Sequence, residues 1–288
     1  MSINSTSLGK IILTGEHSVV YGYPALAIPT KLATHVKVWK KREGRSTKQS
    51  LPLKVVQVID VIGEHFPELD LGLSFQIFSS LPQNSGLGSS AALAHALVKA
   101  IAGYYHRQLT KEQLFQIVQK CEKIFHGKPS GIDAATVVYE TCLRFIRSKD
   151  QVTIKKLDCL KTIPPFLLLD SGKATETTKA MIKIASGNPA KKSILKQIGA
   201  ITQKIENLLQ DEKFSPELIT ENERLLEKLG VVGKKATLII RAIEEFGGFA
   251  KITGAGGVAS GSGVIIAFHK DIQKLKNYCK IKRFHSFN

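Results

Sequence analysis

No run of apolar residues in this 288-residue chain reaches the roughly 18 that a bilayer-spanning helix needs. That absence excludes a helical membrane protein. The opening, Met1-Ser2-Ile3-Asn4-Ser5-Thr6-Ser7, lacks the basic flank and apolar stretch of a secretory signal. The expectation is a cytoplasmic protein with no membrane partner. Cysteine is scarce. Cys121, Cys142, Cys159 and Cys279 stand apart with no Cys-x-x-Cys pair. This excludes a zinc ribbon, argues against a disulfide framework, and predicts reduced thiols packed in or near the core. Acid is in short supply as well: 24 Asp and Glu face 41 Lys and Arg, a formal net charge of +17. Such a field attracts nucleic acid, anionic lipid or a phosphorylated small molecule. No zinc finger, RNP-type aromatic signature or basic-region heptad accompanies the charge, so a stable nucleic-acid partner is not expected. The most basic stretch, residues 269–288, sets Lys270, Lys274, Lys276, Lys280, Lys282 and Arg283 against Asp271 alone. It reads as a solvated basic surface.

What is present suffices for a large fold. Hydrophobic residues are 43% and charged residues 23%, which excludes disorder. A chain this long buries about three quarters of its unfolded surface. Short apolar or alternating runs at 8–13, 25–28, 34–40 and 73–78 predict strands, and 53–66 repeats at helical spacing. Ser89 or Ser90 can cap a helix reaching about Tyr105, and Thr110-Lys-Glu-Gln113 is a capping-box pattern opening a second. Residues 142–146 and 152–157 look like a hairpin. After Pro164-Pro165 come a strand at 166–169 and mostly helical sequence from 175 to 246, broken at 187–189, 215–216 and 230–233. A strand–loop–strand at 250–268 and a helix at 271–279 close the chain. Segregated strands and helices predict an α+β protein of two lobes, residues 1–163 and 164–288.

Four segments carry chemistry. Pro82-Gln-Asn-Ser85-Gly86-Leu87-Gly88-Ser89-Ser90-Ala91-Ala92 follows a strand and opens a helix. Its glycines permit close backbone approach, and a helix start with two hydroxyls suits phosphate or Mg²⁺. No Gly-Lys-[Ser/Thr] closes it, so it is not a Walker A loop, and it is not Gly-x-Gly-x-x-Gly. An ordinary capped turn has the same look. Lys251-Ile-Thr-Gly254-Ala255-Gly256-Gly257 is a second glycine cluster after a strand, and a nucleotide site explains both clusters better than two plain turns. Near the start, Gly9-Lys10-Ile-Ile-Leu-Thr-Gly15-Glu16-His17-Ser-Val-Val-Tyr-Gly22 places charge inside an apolar run, where a strand-end surface lysine is the commoner occurrence. In Glu122-Lys-Ile-Phe-His126-Gly-Lys-Pro-Ser130-Gly131-Ile132-Asp133, Glu122 and His126 share one helix face, and Asp133 is a candidate base or a plain helix cap.

The segments 9–22, 82–92 and 251–257, in this order and spacing, resemble the three signature motifs of the GHMP small-molecule kinases, among them galactokinase, homoserine kinase, mevalonate kinase and phosphomevalonate kinase. Segments 9–22 and 122–133 together are similar to the mevalonate kinase branch. The resemblance implies a two-lobed fold, with a ribosomal protein S5 domain 2-like lobe, a ferredoxin-like lobe, and the active site in the cleft between them. It implies ATP and Mg²⁺ as cofactors and transfer of phosphate to the 5-hydroxyl of mevalonate. Asp133 matches the catalytic base, Lys10 the lysine beside it, and Ser90 and Glu122 the metal ligands. Pro82, Ser85, Gly86, Leu87, Gly88, Ser89, Ser90 and Ala91 match the phosphate loop. Lys10, His17, Asp133, Gly254 and Ala255 match substrate-side positions; Arg147 or Arg144 meets a carboxylate, and Thr177 or Thr178 a phosphate. The implied partner is a small mevalonate-like hydroxy acid, with a homodimer admitted. Two departures bear on the acceptor more than on the reaction: Val258-Ala259-Ser260 replaces further glycines, and Glu140-Thr141 replaces a Gly-Gly pair. Val258 and Ala259 are expected to turn away into packing while 254–257 stay in the site. Other GHMP acceptors, and a non-catalytic anion or nucleic-acid binder of the same fold, are the alternatives.

Overall fold

Alternating side chains build the first sheet. The computed structural model describes residues 2–40, 50–66, 73–148 and 151–287. Its first two strands, β1 (Ser2–Thr14) and β2 (Ala25–Lys40), are far longer than their apolar runs suggest. The hidden part of β1 is polar: Ser5 donates to the Ala96 carbonyl at 2.6 Å and Ser7 pairs with His95 Nδ1 at 2.9 Å. Those hydroxyls meet partners on a helix that a strand pattern does not show.

The chain folds as two compact units, and β1 and β2 pass through both. The first unit holds Met1–Lys10, Pro29–Pro82 and Gly88–Glu140. In it β2 pairs antiparallel with β3 (Leu73–Ser79), Thr34 opposite Ser79 and Lys40 opposite Leu73. Its helices are α1 (Leu53–Gly63), α2 (Ser89–Tyr104), α3 (Lys111–His126) and α4 (Ile132–Tyr139). The capping box forms as read: Thr110 Oγ1 accepts from Gln113 N–H and Gln113 Oε1 from Thr110 N–H. Val36, Val38, Val58, Ile62, Leu97, Ile101, Val118 and Val138 share one core that holds the helices against the strands.

The second unit holds Ile11–Ile28, Gln83–Leu87 and Thr141–Asn288. Ala25–Ala27 of β2 pair with β4 (Cys142–Ser148), which pairs with β5 (Gln151–Leu157). Pro164-Pro165 therefore lies inside this unit, since the hairpin before it is pinned to β2. A second antiparallel sheet sets β8 (Val264–Phe268) between β6 (Phe166–Asp170) and β7 (Phe249–Ile252). Helices α5 (Thr178–Gly187), α6 (Lys191–Gln210), α7 (Glu217–Leu229), α8 (Lys234–Glu245) and α9 (Ile272–Ile281) complete it. The breaks fall where the sequence puts them: Pro216 precedes α7, and Gly230 and Gly233 end α7 and start α8. On and beside α9, Leu275 and Cys279 are buried while Lys270, Lys274, Lys280, Lys282 and Arg283 are exposed.

The expectation of reduced thiols throughout is corrected. Cys142 and Cys159 form a disulfide with Cα atoms 6.3 Å apart, while Cys121 and Cys279 are buried free thiols. Hairpin register is the reason: Cys142 lies opposite Leu157, two residues before Cys159. Among the described residues no helix is long and apolar enough to cross a membrane.

Candidate active site

Gly88 starts the site in the first unit. It takes φ 69° as the N-cap of α2, so no side-chain oxygen of Ser89 or Ser90 is spent on capping, contrary to the expected serine cap. The helical ladder begins with Ala92 N–H on the Gly88 carbonyl at 2.9 Å, leaving the amides of Ser89, Ser90 and Ala91 outside it. A helix start of this kind, with no acidic residue in its first turn, attracts anions. A Cβ at Gly88 would stand 2.9 Å from Cγ of Lys10, so glycine lets the lysine stem lie against the loop.

Lys10 is 2% exposed, and its Nζ stands 3.0 Å from Oδ1 of Asp133. It is the reverse of a strand-end surface lysine. Asp133 does not cap α4; Gly131 does, which leaves the carboxylate, 27% exposed, facing Lys10 from the first turn. Glu122, from α3, is 1% exposed, and neither of its oxygens has a hydrogen-bond partner. Burial pushes its carboxyl up to about 8, the Asp133 charge adds to the rise, and Ser90 and Lys10 oppose it. One turn on, His126 Nε2 lies 3.7 Å from Glu122 Oε2 and 3.3 Å from Ser90 Oγ. Burial holds the imidazole below the usual range, with Asp133 opposing.

A carboxyl buried in this way is either protonated or balanced by a nearby positive charge. Ser90 and Glu122 fit one in chemical type, as two hard oxygen donors. Among the described residues no three of His, Cys, Asp and Glu gather as a metal cage. Two protein oxygens are too few for a metal held by protein alone.

The second unit holds the remaining candidates. Ser85 and Gly86 lie directly on the third motif: Val264 N–H donates to the Ser85 carbonyl at 2.9 Å, and a Cβ on Gly86 would come within 2.1 Å of the Thr253 carbonyl. Leu87 is fully buried, and Gly254 packs against Gly86. His17 is buried, with Nε2 3.0 Å from the Ala255 carbonyl, and burial lowers its pKa to about 4. The ring is neutral at pH 7. Arg144 is engaged, its Nε donating to Glu206 Oε2 at 2.7 Å with Lys155 on the other oxygen at 3.3 Å. Arg147 is half-buried near the end of β4. Thr177 caps α5, its Oγ1 accepting from Ala180 N–H at 3.2 Å, and Thr178 is the first helical residue.

The expectation for Val258 and Ala259 is corrected. Val258 is 39% exposed rather than buried, and Ala259 is exposed too. Glu176 Oε1 accepts both amides, at 3.0 and 2.8 Å, and holds that backbone outward.

Sequence reasoning missed the polar network behind His17. Lys251 is fully buried; its ammonium pairs with Glu16 and donates to the Ile12 carbonyl at 3.3 Å and the Ile252 carbonyl at 2.6 Å. Asn222 donates to Glu16 Oε2 at 3.2 Å, and Glu223 accepts from Ile252 N–H at 3.0 Å. The available signal was polar residues at inward positions of an amphipathic helix, Asn222 and Glu223 on α7.

Comparison with known proteins follows the same lines. Residues 53–141 match the family described as GHMP kinases N terminal domain. The chain is 31% identical over 265 residues to the mevalonate kinase of Archaeoglobus fulgidus, covering 86% of this chain and 87% of that one. It is 27% identical over 289 residues to the mevalonate kinase of Methanocaldococcus jannaschii, covering 92% and 91%. The crystal structure of mevalonate kinase from Staphylococcus aureus MRSA252 superposes with a TM-score of 0.75 at 27% identity, covering 97% of this chain and 94% of that one.

Proposed function

The chain belongs to the GHMP kinases, and from that premise we propose that it is an ATP-dependent kinase that phosphorylates the 5-hydroxyl of mevalonate to give 5-phosphomevalonate. The observation that carries the reading is the pairing of Lys10 with Asp133 at 3.0 Å beside the start of α2, in a site that also holds Glu122 without a donor.

Phosphoryl transfer asks a protein for placement and charge compensation more than for a covalent partner. Asp133, on the exposed side of the pair, accepts the proton of the acceptor hydroxyl as its oxygen attacks the γ-phosphorus and the bond from that phosphorus to the β,γ-bridging oxygen breaks, releasing ADP. Lys10 already holds Asp133 and counters the negative charge that gathers on the attacking oxygen. The amides of Ser89, Ser90 and Ala91 receive phosphate oxygens at the helix start. The Ser90 hydroxyl and the Glu122 carboxylate would hold Mg²⁺, which would supply charge neutralisation on the phosphates when bound. With the cation bound Glu122 would keep its charge, because the positive charge would offset the cost of burying it. His17, neutral and fixed on Ala255, offers an uncharged edge to the organic substrate, and Arg147, on the same strand as the Glu206-bound Arg144, is the candidate for its carboxylate. The reading goes with a cytoplasmic enzyme, and light scattering decides between monomer and homodimer.

A coupled ADP-release assay with mevalonate, phosphomevalonate, homoserine, galactose and no acceptor tests the proposal. Mevalonate should support the fastest turnover; another acceptor overtaking it would reassign the substrate. Asp133→Asn should lose ~10²-fold or more in kcat, the scale of a lost general base, with ATP affinity retained. Turnover near wild type in that variant would remove Asp133 from the chemistry.

A further inference from the structure

A serine that holds a cation has to send its own proton elsewhere. The hydroxyl carries one O–H and two lone pairs, and a cation seated on the oxygen repels the hydrogen. In the first unit the nearby imidazole can take it. His126 Nε2 is 3.3 Å from Ser90 Oγ and 3.7 Å from Glu122 Oε2, so one ring nitrogen faces both oxygens assigned to Mg²⁺. Toward Glu122 the separation is too long for a hydrogen bond. The ring is therefore not serving as a donor to the carboxylate. Its place on the backbone is fixed: His126 is the last residue of α3, and Gly127, at φ 67°, closes the helix with its N–H on the Lys123 carbonyl at 2.9 Å.

We propose that His126 is a positioning residue for the cation: its Nε2 accepts the Ser90 hydroxyl proton and thereby turns the lone pairs of Ser90 Oγ toward the metal beside Glu122. The tautomer required carries its hydrogen on Nδ1 and leaves Nε2 as the acceptor. A hydrogen on Nε2 would instead aim a donor at the place where the cation has to sit. Groups that orient a metal ligand in this way matter almost as much as the ligand. The inference rests on the reading of Ser90 and Glu122 as the cation-holding pair.

The test measures Mn²⁺ affinity of the ADP-loaded protein from the free-ion signal in electron paramagnetic resonance, which needs no turnover. His126→Phe keeps a flat ring without an acceptor and should weaken Mn²⁺ binding about 10-fold. His126→Gln, which restores an acceptor oxygen, should recover part of that loss. In a Ser90→Ala background His126→Phe should cost nothing further, because the proton it accepts is gone. Mn²⁺ affinity at the wild-type level in His126→Phe, or an equal loss with and without Ser90, overturns the inference while leaving the cation site in place. Unchanged affinity in both Ser90→Ala and Glu122→Gln is a different result, and it removes the site and the inference together. Should His126→Phe not fold, as judged by circular dichroism, His126→Ala takes its place in the same comparison.

Discussion

Glu122 and Glu223 are carboxylates sealed from water, one in each unit, and burial raises both to about 8. Glu223 is the cleaner probe because it is not one of the residues assigned to the cation. Its Oε2 accepts Ile252 N–H while Oε1 has no partner, and the Lys251 charge only partly opposes the rise. A folded-state pKa above the ordinary 4.5 means that the fold favours the protonated form. The stability this gives is full below pH 4.5 and is lost as the pH climbs toward 8. Urea midpoints should therefore fall between pH 5 and pH 8.5, and Glu223→Gln should flatten that fall, with Glu122 keeping a share of the slope. An equally steep fall in the variant would show that Glu223 is already charged in the fold. On the acid side the sign reverses: burial lowers His17 to about 4 and His95 to about 3, so stability declines below pH 6.5 as the unfolded chain takes up protons first. Asp133, Lys10 and Glu122 could be picked out in the sequence because charge inside or beside an apolar stretch is conspicuous. Glu223 was harder to see: its spacing from Ile219 and Leu226 sets it on the inward face of α7, but its neighbours Thr220, Glu221, Asn222 and Arg224 are all polar, and its partner, the Ile252 amide on β7, is distant in the chain.

Helix ends were easier to read than strand lengths. Thr110 with Gln113 states its own hydrogen bonds in four consecutive residues, and Pro216, Gly230 and Gly233 mark the limits of α7 and α8 by backbone chemistry alone. The outer half of β1 carries polar residues whose partners, Ala96 and His95 on α2, lie about ninety positions away, and no local pattern reports them. The start of α2 lies between these cases. Serine was the natural cap to expect; glycine has the place because the lysine stem from β1 needs the room. Gly88→Ala should accordingly disturb catalysis more than folding. The added methyl meets Lys10 Cγ at 2.9 Å and the residue would have to keep φ 69°. Displacing Lys10 by about 1 Å from Asp133 is expected to lower kcat by up to ~10²-fold. Steady-state kinetics beside a thermal melt separates this from general unfolding: equal loss of kcat and of folded protein would mean that α2 itself has come apart.

At the scale of the whole molecule the net charge of +17 has a kinetic use when both substrates are anions. A positive field raises their local concentration and leaves the chemical step alone. Raising salt through ~0.15 M, where the field is screened within ~8 Å, should raise KM for ATP and for mevalonate with little change in kcat. A change confined to kcat would assign the charge to some other task. The interleaving of the two units has a consequence for synthesis. All the chain of the first unit has been made once Glu140 is added, so that unit can close while the rest is still being translated. The second unit must wait: its pieces Ile11–Ile28 and Gln83–Leu87 are made early, yet the sheet and helices they belong to arrive only with Thr141–Asn288. At 5–20 residues per second the delay is on the order of 10 to 30 s. For that time the apolar run Ile11-Ile12-Leu13, fully enclosed in the finished protein, has no finished unit to enter. A nascent chain stalled far enough beyond Glu140 to free the first unit would carry all of that unit's chain, while Ile11–Leu13 still lacked most of the unit it packs into.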